Sequence, residues 1–238
     1  WLQLFIDEAK LSANLAHGNI VQIYQLGEVD GQYYMAMEFI QGPTLRSIID
    51  RHAELRQAMP LPIAAYIASR VCRALDYAHN FVAPGGQRLD VVHRDVSPGN
   101  IMASWDGHIK LADFGIAKAR TSFDPAAERH ILMGKKHYMS PEQALALAVD
   151  ARSDVFTLGV VLYEMLTLEP LFKEDITDLL LDEVTVHPLP SAKSRVPHLP
   201  GEIDDVLTRA LSRERESYRS PRSARWRPFS QAPRRLRR

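Results

Sequence analysis

The sequence predicts an α+β fold: a small unit of helix and hairpin, followed by a larger, mainly helical body. Three observations carry that expectation. Two β-prone runs, Ile20 to Val29 and Gln32 to Ile40, are joined by Asp30-Gly31, and a tight hairpin turn needs the positive φ that Gly accepts. Further on, apolar residues recur at steps of three and four, the spacing of one helix face. The composition is that of an ordinary globular chain, with 238 residues, 46% hydrophobic and 24% charged, which excludes disorder throughout. A lone Cys72 also excludes a disulfide scaffold.

Taken in order, Leu2 to Leu15 reads as a helix with Leu4, Phe5, Ala9, Ser12 and Leu15 on one face, ended by Gly18-Asn19. The hairpin follows, and Gly42-Pro43 breaks the pattern. Thr44 to Leu55 is a short helix, and Pro62 to Asn80 a longer one with Ile63, Ile67, Val71, Leu75 and Ala78 at helical spacing. Ala83 to Gln87 is a loop. Ile101-Met102 and Ile109 to Ala112 flank Trp105-Asp106-Gly107 and read as a second hairpin. Residues 116–140 have no clear period and read as a long loop, a feature often tied to function. Arg152 to Leu166 is the most apolar helix. The run Val155 to Leu168 has 14 residues and contains Glu164, too short to span a bilayer. Glu174 to Val184 and Gly201 to Ser212 are two more helices, separated by a Pro-rich link from His187 to Pro200.

The formal net charge of zero hides a split. Residues 1–212 hold 19 basic and 27 acidic side chains, whereas residues 213–238 hold ten Arg against Glu214 and Glu216. This predicts an acidic folded body with a basic, disordered tail in which Pro221, Pro228 and Pro233 oppose a helix. No DNA or RNA partner is expected for the body, and no membrane segment. No signal peptide is visible, so the expected location is cytoplasmic. An opening Trp1 predicts a start inside a longer reading frame.

The chemistry-bearing residues lie after the long helix. His93-Arg94-Asp95-Val96-Ser97-Pro98-Gly99-Asn100 comes first, then Asp113-Phe114-Gly115 beyond the second hairpin, then Ser140-Pro141-Glu142 and Asp154 at the start of the apolar helix. Singly each is a weak match; their order and setting are what make them specific. Asn100 and Asp113 offer oxygen atoms from the two ends of one hairpin, and Mg²⁺ prefers oxygen from one or two carboxylates plus phosphates. Asp95 is placed to accept a hydrogen bond from an incoming hydroxyl. These residue types also suit turns and caps.

Across residues 1 to 212 the chain resembles the protein kinases, specifically the eukaryotic-like Ser/Thr kinases of bacteria, and Tyr138-Met139-Ser140-Pro141-Glu142-Gln143 is the detail that points to bacterial members. The resemblance implies a two-lobe fold with an incomplete small lobe: residues 1–42 its remnant and the hinge, 43–212 the large lobe, 213–238 the tail. It implies transfer of the ATP γ-phosphate to protein Ser/Thr hydroxyls with Mg²⁺. Asp95 becomes the catalytic base and Asn100 and Asp113 the metal ligands. Met37 resembles the gatekeeper, Glu38 and Ile40 the adenine-binding hinge, and Met102 the residue under the adenine ring. Glu8 matches the helix Glu that pairs with a strand Lys. Ile23, His93 and Phe114 resemble members of the stack joining the lobes, with Asp154 as anchor. Arg94 resembles the Arg of kinases activated by phosphorylation of the long loop, for which Thr121 and Ser122 are the candidates.

The chain departs from the family in three places. No Gly-rich phosphate loop or strand Lys precedes Glu8, so ATP binding by this chain is expected to be weak or absent. The family's Asp-x-Lys is Asp95-Val96-Ser97 and its Gly-Thr is Gly134-Lys135; Lys135 is expected to reach back to Asp95 and Ser97, with the neighbouring Lys136 as the alternative. The final stretch does not continue the family's last helix, leaving Arg215 or Arg219 to pair with Glu142. Two other classes are an interaction module of pseudokinase type and a small-molecule phosphotransferase, the latter opposed by the long loop and the Ser-Pro-Glu segment.

Overall fold

The computed structural model describes residues 12–114, 136–173, 182–186 and 188–213. Strands β1 (Ile23–Val29) and β2 (Gln32–Met37) form the first hairpin. Asp30 and Gly31 turn it with φ of 51° and 76°, the paired positive values of a type I′ turn. The strands are shorter than the β-prone runs because the flanks are used elsewhere. Ile20 bridges to Leu111, and the Val21 N–H donates to the Leu111 carbonyl at 2.9 Å.

The chain then crosses to β3 (Ile101–Ala103), which pairs with β4 (Ile109–Leu111). Ala103 N–H donates to the Pro43 carbonyl and Trp105 N–H to that of Gln41, both at 2.9 Å. Only glycine fits between them, since a Cβ on Gly42 would stand 1.9 Å from the Ala103 oxygen.

Helix α1 (Leu45–Glu54) begins one residue later than the sequence suggests. Thr44 stays outside as its cap, its hydroxyl oxygen accepting from Ser47 N–H at 3.2 Å. Helix α2 (Leu61–His79) buries Ala64, Ile67, Ala68, Val71, Ala74, Leu75 and Ala78. Ile63, expected on that stripe, is 50% exposed. Each step of four overshoots a 3.6-residue turn by about 40°. Stepping back from Leu75 through Val71 and Ile67 therefore rotates position 63 off the face, and Ala64 takes its place.

Helices α3 (Pro141–Ala144), α4 (Ala151–Thr167), α5 (Ala192–Arg195) and α6 (Gly201–Ala210) complete the described body. α4 is buried on every side from Ser153 to Leu166 except at Val155, the pattern of a central helix. It packs against α2, α3, α5 and α6, while α2 also packs on β4. α5 was not expected inside the Pro-rich link. Its prolines leave Ser191 to Val196 free, enough for one turn started by the Ser191 hydroxyl, which accepts from Lys193 N–H at 3.2 Å. Of the expected helix Glu174 to Val184, residues 182–185 are helical and residues 174–181 lie outside the described residues. Among the described residues no helix is long and apolar enough to cross a membrane.

Candidate active site

Asp154, in the first turn of α4, is buried, and a buried carboxylate is tolerable only with partners. It has three. Oδ1 accepts the Arg94 N–H at 2.8 Å, and Oδ2 accepts the His93 N–H at 2.8 Å and lies 2.7 Å from His79 Nε2. The loop 93–100 is thus hung from α4 by two main-chain hydrogen bonds.

His93 is fully buried, and its ring nitrogens are both committed. Asp95 N–H donates to Nδ1 at 3.1 Å, so Nε2 carries the proton and donates to the Ala112 carbonyl at 3.0 Å. Burial holds its pKa below the ordinary imidazole value, against the nearby charges of Asp154 and Asp95. A neutral ring with both nitrogens occupied is a support, not a proton carrier. Phe114 packs on it with ring centroids 4.4 Å apart. Ile23 and Phe114 line one narrow cavity together with Met35, Met37, Leu111 and Asp113.

Asp95, Ser97 and Asn100 are all buried. A single 3₁₀ turn, Pro98–Asn100, brings Asn100 back toward Asp95. Asn100 Nδ2 donates to the Asp95 carbonyl at 2.8 Å and to Asp95 Oδ2 at 3.0 Å. The amide orientation follows from that network, which makes Oδ1 the atom suited to a metal. Ala112 N–H donates to the Asn100 carbonyl at 2.8 Å, so Asp113 follows directly on a residue bonded to Asn100. Amide and carboxylate oxygens at the base of one hairpin fit a hard cation that takes its remaining ligands from phosphates and water. Among the described residues no three His, Cys, Asp or Glu side chains form a metal cluster. Arg94 and Asp113 both adopt left-handed backbone, φ 66° and 57°, a strained setting for such residues. The Ser97 hydroxyl is buried without a hydrogen-bond partner among the described residues.

At the hinge positions Ile40 is buried and Met37 is 43% exposed, so Met37 lines the cavity mouth and is not sealed in a core. Glu38 is tied down: its N–H donates to the Gln22 carbonyl at 2.8 Å, and its carboxylate accepts from Lys110 Nζ at 2.7 Å. Among the described residues the Glu38 carbonyl and the Ile40 N–H have no hydrogen-bond partner. Met102 bridges to Thr44 across β3. Glu142 accepts a hydrogen bond from the Ser153 hydroxyl, while Arg215 and Arg219 lie outside the described residues, as do Glu8, Thr121, Ser122 and Lys135.

Other residues hold the site together that the sequence did not single out. Gln143 completes a capping box on α3: its Oε1 accepts the Ser140 N–H at 3.0 Å, and its Nε2 donates to the Arg94 carbonyl at 2.8 Å. Arg46 reaches Glu164 with two nitrogens at 2.9 and 3.1 Å and also contacts the Tyr138 hydroxyl, which donates to Glu164 Oε2 at 2.5 Å. Burial would lower the Arg46 pKa, but hydrogen bonding and charge from Glu164 outweigh it and hold it above the ordinary guanidinium value. Burial, followed by the charge of Glu164, raises Tyr138. The signal for this cluster was Glu164 itself, a charge inside an apolar run.

Residues 2–229 match the protein kinase domain family. The chain is 38% identical over 212 residues to the tyrosine-protein kinase MasK of Myxococcus xanthus, covering 89% of this chain and 33% of that protein. It is 34% identical to the serine/threonine-protein kinase PrkC of Bacillus subtilis, over 90% of this chain and 31% of PrkC. With PknB of Mycobacterium leprae it shares 36% identity, over 90% of this chain and 33% of PknB. The chain therefore spans about a third of the length of these curated relatives. Among solved structures, the PknI kinase domain of Mycobacterium tuberculosis superposes with a TM-score of 0.65 at 27% identity, covering 91% of this chain and 73% of that one. With a mixed helix and strand architecture like that of solved kinase domains and a family match over nearly its whole length, the chain belongs to the protein kinase domain family, among relatives of the bacterial Ser/Thr kinases.

Proposed function

We propose that the protein transfers the ATP γ-phosphate to Ser and Thr hydroxyls of protein substrates. Residues 1–42 serve as the small-lobe remnant and hinge, 43–212 as the large lobe and 213–238 as a basic tail. The observation that carries the reading is the hydrogen-bond chain from Asp95 through Asn100 to Ala112, which ties Asp95 to the neighbour of Asp113. Asp95 accepts the hydrogen bond of the incoming hydroxyl and aims its oxygen at the phosphate. Asn100 and Asp113 hold Mg²⁺, which when bound neutralises charge on the phosphates. The unpartnered Glu38 carbonyl and Ile40 N–H take the adenine edge, flanked by Met37 and Met102. His93, Phe114 and Asp154 keep the loop in place.

The buried Ser97 hydroxyl supports a partner from outside the described residues, and Lys135 fills that role, returning a cation to the side of Asp95. Arg94 receives a phosphate carried by Thr121 or Ser122. In the full-length protein Asp113→Ala is expected to lower Mg²⁺-dependent phosphorylation of a protein substrate by at least about a hundredfold, read by phosphate incorporation. Unchanged incorporation would defeat the assignment. Phosphoamino-acid analysis of the product tests the choice of Ser/Thr, a choice sharpened by the likeness to a protein named as a tyrosine kinase. Lys135→Thr is expected to lose activity that Ser97→Lys in the same chain restores.

A further inference from the structure

The peptide unit between Arg94 and Asp95 is held at both of its polar atoms. Its N–H, that of Asp95, donates to His93 Nδ1 at 3.1 Å, and its carbonyl, that of Arg94, accepts from Gln143 Nε2 at 2.8 Å. Among the described residues no other group donates to that carbonyl. Arg94 itself sits in left-handed backbone at φ 66°, a conformation that persists only where the surroundings over-determine it. Asp154 fixes the peptide unit before Arg94 by accepting the Arg94 N–H at 2.8 Å; the Gln143 amide and the His93 ring fix the one after it. The orientation of that amide follows from its neighbours. One end lies 3.0 Å from the Ser140 N–H, a donor, and the other 2.8 Å from the Arg94 carbonyl, an acceptor, which makes the first Oε1 and the second Nε2.

We propose that Gln143 is a positioning residue for phosphoryl transfer, acting through the Arg94 carbonyl on the Asp95 carboxylate; this rests on the role given to Asp95 above. A peptide unit is planar and turns as one body. Once its carbonyl is released to water, the Asp95 N–H swings off His93 Nδ1 with it. The Asp95 carboxylate then shifts relative to Asn100, which donates to its Oδ2 at 3.0 Å. Misplacing a reacting group by about 1 Å can cost about a hundredfold in rate. The loss falls on kcat, because the groups assigned to adenine lie elsewhere, on the stretch from Glu38 to Ile40.

One substitution separates the two ends of the amide. Gln143→Glu keeps the oxygen that caps α3, Glu being a standard residue at that place in a capping box, and sets a carboxylate oxygen against the Arg94 carbonyl. Gln143→Ala removes both ends. In the full-length protein at about pH 8, where Glu is ionised, Gln143→Glu is expected to lower kcat about tenfold or more, with the KM for ATP within about twofold. Its melting temperature should stay within about 2 °C of the parent, whereas that of Gln143→Ala falls by about 3 °C or more. In NMR hydrogen exchange of Gln143→Glu, the Asp95 amide should exchange about tenfold faster, while the Arg94 amide, still held by Asp154, stays as it was. A purely structural role predicts instead that Gln143→Glu behaves like the parent and only Gln143→Ala is impaired. Unchanged kcat or unchanged exchange at Asp95 in Gln143→Glu overturns the proposal, as does a loss confined to KM. Asp113→Ala, run alongside, keeps the two readings apart: incorporation that survives Asp113→Ala defeats phosphotransfer at this site. Incorporation lost in Asp113→Ala but intact in Gln143→Glu overturns the positioning role alone.

Discussion

Around Asp154 and along the β1–β2 hairpin the chain solves opposite problems. Asp154 satisfies His93, Arg94 and His79 from a buried helix turn, bringing together residues 60 to 75 positions apart. The hairpin closes on itself through Asp30-Gly31, and its side chains Tyr24, Tyr33 and Tyr34 stay exposed. One region depends on a single distant carboxylate, the other on local turn chemistry. Their tolerance to substitution should differ accordingly.

Asp154→Ala is the harshest probe. It strips the acceptors from two backbone N–H groups, each worth about 1–3 kcal/mol when left unsatisfied. With His79 also unpaired, a loss on the order of 4 kcal/mol corresponds to a melting temperature lower by about 10 °C, checked by calorimetry. A shift of only a degree or two would mean that the loop 93–100 does not depend on this anchor. Next comes Glu164→Ala, which leaves Arg46 half-buried and without its main partner. About 2–4 kcal/mol is expected, below the range for fully buried pairs because Arg46 keeps some water and Asp50. Urea unfolding at constant slope measures it.

Acid gives a smaller and directional effect. His93 is held neutral in the fold, with its pKa depressed below the 6.5 of a free imidazole. The unfolded chain therefore binds the proton first, and the contribution of His93, complete above pH 6.5, is lost as pH falls toward the folded value. Denaturation midpoints should drop between pH 7.5 and 5.5, and a His93→Gln chain should show a flatter profile. The smallest change belongs to the hairpin: Tyr24→Ser should stay within about 0.5 kcal/mol. A larger loss there would show that this exposed surface is covered in the folded protein.

The same contrast explains what could be read in advance. Asp30-Gly31, the helix start near Thr44 and the apolar stripe of α2 are local signals, and the structure follows them with shifts of a residue or so. Ile63 went astray because a run of four-residue steps drifts around a helix. The Arg46–Tyr138–Glu164 cluster joins positions as much as 118 residues apart, and no local pattern announces such a meeting. Asp95, Asn100 and Asp113 were legible as candidates through motif order, and Asp154 as an anchor through resemblance, yet the other means of holding them were not. Those means, His79 and Gln143 among them, are ordinary residues whose roles arise only once helices pack.

Gln143 has a consequence of its own. One amide grips the start of α3 with its oxygen and the peptide carbonyl of Arg94 with its nitrogen. The stretch that would face an acceptor protein and the stretch that would face the transferred group are therefore geared to each other. Neither can be displaced by even an ångström without the other registering it.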